Sequence, residues 1–209
     1  MTRIFAILAG VVVVGSIGFT WVMTNRAGTD DKFAQCRSTQ IAGGTSQIGG
    51  RFTLVDETGK TVTDKDVIDQ PALIYFGYAF CPDVCPLDNA RNAETIDILD
   101  SQNRTVKPVF ISIDPKRDTP EVLADFTDNL HERMLGLTGS PEQVKAASKA
   151  YRTYFKVNEP EDGDEDYYLV DHSTFTYLVF PEEGFVEFFR RDLEPEKMAE
   201  QIGCFLDAR

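Results

Sequence analysis

The feature that most restricts the fold is the run 72–78, Ala-Leu-Ile-Tyr-Phe-Gly-Tyr, set off by Pro71. Seven residues without a charge and without alternation predict a central strand, buried on both faces. Such a strand needs layers above and below it, and the flanking patterns supply them. Leu87, Ala90, Ala93, Ile96 and Leu99 recur every three residues, which predicts one apolar face of a helix. Residues 108–113 repeat the strand signal. Thr119-Pro120 reads as a cap and first turn, and 134–137 as a short strand. Ser140-Pro141-Glu142-Gln143 is a capping box that predicts a helix to about Tyr154. Strands at 52–55 and 61–63 flank a turn at 57–60, strands at 174–180 and 185–189 flank a turn at 181–184, and a last helix opens at Pro195. Strands alternating with helices, closed by a hairpin and a helix, predict an α/β protein with a mixed sheet and helices on both faces.

The ends of the chain read differently. Residues 4–23 are uncharged over a length that spans a bilayer core of about 30 Å. Arg3 and the free amine precede them, and Arg26, then Asp30 and Asp31, follow. This predicts a single uncleaved transmembrane helix with its N-terminus inside. The expected organisation is a membrane anchor at 1–26, a Gly/Ser/Thr-rich tether at 27–47 and one domain at 48–209. The start lacks the Arg- and Ser-rich composition of a transit peptide, so the expected location is a bacterial inner membrane, with the domain in the periplasm. The net charge of -13 excludes a nucleic-acid partner. Six acids in residues 159–166 lack the spacing of a calcium loop and read as solvated.

Cysteines and histidines carry the chemistry. Cys81 and Cys85 follow the central strand at a spacing that puts two sulfurs on one side of a helical turn. A thiol at a helix N-terminus ionises more readily, and the thiolate is both nucleophile and metal ligand. A Cys81–Cys85 disulfide is the competing expectation for the metal-free pair, because thiols in that compartment can be oxidised. His131 reads as a surface residue near a helix end. His172 lies between Asp171 and Ser173, just before a strand expected beside the cysteine-bearing one, where a third ligand would stand. Asp171 is left to bond its imidazole or to face solvent. Two thiolates and an imidazole suit copper, and zinc would bind them too.

The segments 75–86 (YFGYAFCPDVCP), 111–120 (ISIDPKRDTP) and 171–179 (DHSTFTYLV) resemble those of the Sco (SenC) copper proteins that assist cytochrome c oxidase assembly. The resemblance implies a thioredoxin-like fold and copper ligands at Cys81, Cys85 and His172. It implies a metallochaperone that delivers copper to the binuclear copper site in the oxidase's second subunit, or a thiol–disulfide oxidoreductase that reduces that site's cysteines. Other copper carriers or thiol reductants would be its further partners. The 114–120 segment would lie near the metal face, and Ala79 stands where members often carry Thr. Cys36 and Cys204 remain; in an oxidising space they suggest a disulfide tying the tether to the domain, against the alternative of two unpaired thiols.

Overall fold

The structure, a computed structural model, describes residues 14–21, 31–37, 47–160 and 167–209. Contacts divide the chain into two compact units, Met1–Gln35 with Ala208–Arg209, and Cys36–Asp207. In the first, residues 14–21 are helical (α1) and exposed. The rest of the expected anchor lies outside the described residues, as do 38–46 of the tether and 161–166 of the acidic loop. Among the described residues, no helix is long and apolar enough to cross a membrane.

The second unit contains strands β1 (Thr53–Asp56), β2 (Thr61–Thr63), β3 (Ala72–Gly77), β4 (Lys107–Ser112), β5 (Leu135–Thr138), β6 (Phe155–Val157), β7 (Val170–His172), β8 (Thr176–Phe180) and β9 (Gly184–Phe189). Its helices are α2 (Asp64–Val67), α3 (Val84–Ser101), α4 (Pro120–Asp128), α5 (Pro141–Ala150) and α6 (Pro195–Asp207). Seven strands form one sheet in the order β2-β1-β5-β4-β3-β8-β9. Strand β3 is central: it pairs parallel with β4 and antiparallel with β8. All six of its residues are buried, as its unbroken apolar run requires. Alternate residues face opposite layers. Tyr75 and Gly77 face α3, where they meet Asp88 and Cys85. Phe76 faces Tyr151 at the end of α5, ring centroid to ring centroid 5.3 Å. Burying a side chain such as Leu73, Ile74 or Phe76 contributes about 1.5–3 kcal/mol.

Two expectations need correction, and one pairing was not foreseen. The period-three stripe of α3 holds only from Ala93 onward: Ala93, Ile96 and Leu99 are buried, but Leu87 is 59% exposed and Ala90 is exposed, and the first turns point Cys85, Asp88, Asn89 and Asn92 inward instead. The polar residues are accommodated because each has a partner. Tyr75 OH donates to Asp88, Asn89 Nδ2 donates to the Cys85 carbonyl, and Thr176 Oγ1 donates to Asn92. Second, α5 stops at Ala150 rather than near Tyr154. Arg152 turns left-handed at φ 54°, and the chain enters β6. The unforeseen pairing is that of β6 with β7, in a ribbon apart from the main sheet, with Phe155 opposite His172. Nothing local in residues 155–157 signals that pairing.

Candidate metal centre

The site grows from the end of β3. After Gly77 the chain turns at 78–81, where Cys81 N–H donates to the Tyr78 carbonyl, and α3 begins at Val84. Cys81 therefore precedes the helix, not within it. Its sulfur accepts the Cys85 backbone N–H at 3.3 Å and so stands at the helix N-terminus. That placement shapes the two thiols oppositely. The Cys85 side chain, hydrogen-bonded to Cys81, is the largest influence holding the Cys81 pKa down to about 3, against burial. Burial is the largest influence raising Cys85, reinforced by the adjacent Cys81. The two shifts favour a thiolate at Cys81 and a retained proton at Cys85. The structure holds both as free cysteines rather than as a Cys81–Cys85 disulfide.

His172 closes β7 and comes to the pair from the ribbon. Its Nε2 lies 3.3 Å from Cys85 Sγ. Its Nδ1 lies 2.9 Å from the Ser173 carbonyl, an acceptor, so Nδ1 carries the proton and Nε2 presents a lone pair to the sulfurs. Ser173 is itself held, its N–H on the Tyr154 carbonyl and its hydroxyl accepting from Tyr154 N–H. Asp171 does not orient the imidazole; it is exposed and accepts from Asn158 Nδ2 at 3.1 Å. The edges of Tyr75 and Tyr78 flank the ring, at centroid distances of 6.3 and 5.8 Å.

Cys81 Sγ, Cys85 Sγ and His172 Nε2 lie within 4.8 Å of one another. Three donors around one ion at about 2.0–2.3 Å would stand roughly 3.8 Å apart in a trigonal plane. The set therefore fits a single soft cation with little movement, once the Cys85 proton leaves.

Several residues of the site are not legible as site residues in sequence. Asp114 accepts from Tyr168 OH at 2.7 Å and pairs with Arg117 Nε at 2.5 Å. Asp118 is fully buried, and one of its oxygens accepts from Ser112 Oγ and from the Ala79 N–H at the foot of the cysteine loop. The one sequence signal for this loop is the 111–120 segment. His131, expected at the surface, is partly exposed as a residue but turns its side chain inward. Its side chain is 8% exposed, with Nε2 3.5 Å from Asp97 and Nδ1 accepting from Arg133 N–H. Away from the centre, Cys36 and Cys204 are bonded, their Cα atoms 5.7 Å apart.

A mixed sheet whose central strand delivers two cysteines to a helix N-terminus, joined there by a histidine, defines a thioredoxin-like protein with a soft three-donor centre. The SCO1/SenC family profile matches residues 41–207, and the chain belongs to this family. It is 51% identical over 207 residues to Protein SenC of Rhodobacter capsulatus, covering 99% of this chain and 91% of that protein. It is 40% identical over 161 residues to the human mitochondrial SCO1 homolog, covering 76% of this chain and 53% of that protein, so it spans about half of that relative. The crystal structure of yeast Sco1 with copper bound matches with a TM-score of 0.73 at 36% identity, covering 78% of this chain and 90% of that one.

Proposed function

We propose that this protein is a copper metallochaperone that assists assembly of the binuclear copper site of cytochrome c oxidase. In this reading Cys81, Cys85 and His172 hold the ion as cargo. The observation that carries it is the convergence of two sulfurs and one imidazole nitrogen within 4.8 Å, from two parts of the chain 87 residues apart. Thiolate and imidazole together favour a soft ion, and family membership with a copper-bound relative favours copper over zinc. The proposed partners are the oxidase subunit that carries the copper site and other copper carriers. The proposed location is the inner membrane, anchored through residues 4–23, with the domain in the periplasm; the support is the uncharged stretch and its flanking charges.

The opposed pKa directions of the two thiols favour a second activity at the same site, reduction of the target's cysteines. The Cys81 thiolate would attack a target disulfide, and one target sulfur would leave as a thiolate. Cys85, on losing its proton, would then resolve the mixed disulfide, leaving two reduced thiols on the target and a Cys81–Cys85 disulfide here. Copper titration of the full chain, wild type against His172→Ala and Cys85→Ser, separates the readings. The chaperone reading expects both variants to lose copper affinity. Wild-type affinity in His172→Ala, with target reduction still dependent on Cys85, would leave only the reductase.

A further inference from the structure

Among the described residues, no ladder fastens the His172 strand to the cysteine strand: β7 pairs with β6, in a ribbon separate from the sheet that contains β3. Something else has to hold the imidazole over the sulfurs. Tyr78 of the cysteine loop meets the His172 strand directly, and the other contacts between the two segments gather on one side chain. Arg117, in the loop between β4 and α4, is 10% exposed. Its guanidinium carbon lies 3.6 Å from the ring centroid of Tyr168, two residues before β7. The same carbon lies 5.6 Å from the ring of Tyr78 and 5.1 Å from that of Phe80, both on the cysteine loop. Asp114 completes the arrangement: one carboxylate oxygen takes Arg117 Nε and the other takes Tyr168 OH. Tyr78 carries the link onward, accepting the Val170 N–H at 3.3 Å and meeting the His172 ring edge-on.

We propose that Arg117 is the positioning residue that clasps the His172 strand to the cysteine loop, through Tyr168 on one side and Tyr78 and Phe80 on the other. It acts by fixing where the third ligand stands, and a planar guanidinium stacked among rings does this in a way an ammonium cannot. The proposal rests on the reading of Cys81, Cys85 and His172 as metal donors.

The test is Cu(II) titration of the full chain, read by affinity, by thiolate-to-copper absorption and by the nitrogen hyperfine signal of the bound imidazole. The proteins are wild type, Arg117→Ala, Arg117→Lys, His172→Ala and the double variant Arg117→Ala/His172→Ala. Arg117→Ala should lose about 10–100-fold in affinity, the usual range for a group that orients a ligand, and should lose the nitrogen signal while keeping the thiolate band. Lys should not restore it. In the double variant the Arg117 change should add nothing to the loss from His172→Ala. Wild-type affinity with an intact nitrogen signal in Arg117→Ala overturns the proposal, and so do losses that add. Should Arg117→Ala fail to fold, Arg117→Lys, which keeps a cation beside Asp114, carries the same three readouts. Failure of the donor assignment is read separately, as wild-type binding by His172→Ala.

Discussion

Gly77 is the position where one added methyl group tests the packing of the site directly. It ends β3 beneath α3, and a Cβ built on it would lie 2.9 Å from Cys85 Sγ, 2.8 Å from Tyr75 Cε1 and 3.0 Å from Phe110 Cε2. Favourable carbon contacts begin near about 3.5 Å, so three neighbours would each have to retreat by roughly half an ångström. None has open space to retreat into. Cys85, Tyr75 and Phe110 are all fully buried, and Cys85 is held through its backbone by Cys81. Overpacking of this kind costs about 1–3 kcal/mol. At roughly 2–4 °C per kcal/mol for a domain of this size, Gly77→Ala should melt about 2–12 °C below wild type. The same push moves a donor sulfur by more than the roughly 0.2 Å that metal–ligand distances tolerate, so copper affinity should fall with the melting temperature. Thermal melting by circular dichroism and copper titration of one preparation read both effects. A variant with wild-type melting and wild-type affinity would refute the claim that β3 and the Cys85 sulfur are packed without slack.

Asp118 and the Cys36–Cys204 bond make two further predictions. Burial raises the Asp118 carboxyl from 3.8 to about 6; bonds from Ser112 and Ala79 and the nearby Arg117 oppose the rise, and Asp114 adds to it. A carboxyl raised on folding is protonated in the native state below that value, so its contribution to stability is lost as pH rises from about 4 to about 6. Asp118→Asn keeps an acceptor for Ser112 and Ala79 and removes the ionisation. It should flatten the pH dependence over that window and gain up to about 3 kcal/mol above it, measured by urea unfolding; identical pH profiles in the two proteins would refute this. The Cys36–Cys204 bond spans 168 positions, and its removal in a Cys36→Ser/Cys204→Ser protein should cost about 5 kcal/mol in the chain-entropy model. Urea unfolding of that variant at wild-type concentrations would show the pair contributes nothing.

Much of the fold was legible because its causes are local. The unbroken run at 72–78 could only be covered on both faces, and Ser140 with Gln143 announces a helix start that the structure caps in that way. Sequence periodicity failed where tertiary contacts outweigh it. Leu87 and Ala90 fit an apolar stripe by spacing, yet Asp88, Asn89 and Asn92 took the buried face, because Tyr75, the Cys85 carbonyl and Thr176 offered them hydrogen bonds. The β6–β7 ribbon was invisible for a similar reason. A three-residue strand is specified by its partner, not by its own composition.

By itself, then, the sequence determined the chemistry available to this protein: two thiols four positions apart behind a buried strand, a histidine far downstream, and motifs that define a family. Donor type and local spacing are properties of a linear chain. Only the tertiary structure decided that Cys85 and His172, 87 residues apart, would stand 3.3 Å from each other, and that burial would push the Cys85 thiol up while its neighbours hold Cys81 down. Distance, burial and the orientation of neighbouring dipoles exist only once distant segments pack, and those three quantities turn donors into a site.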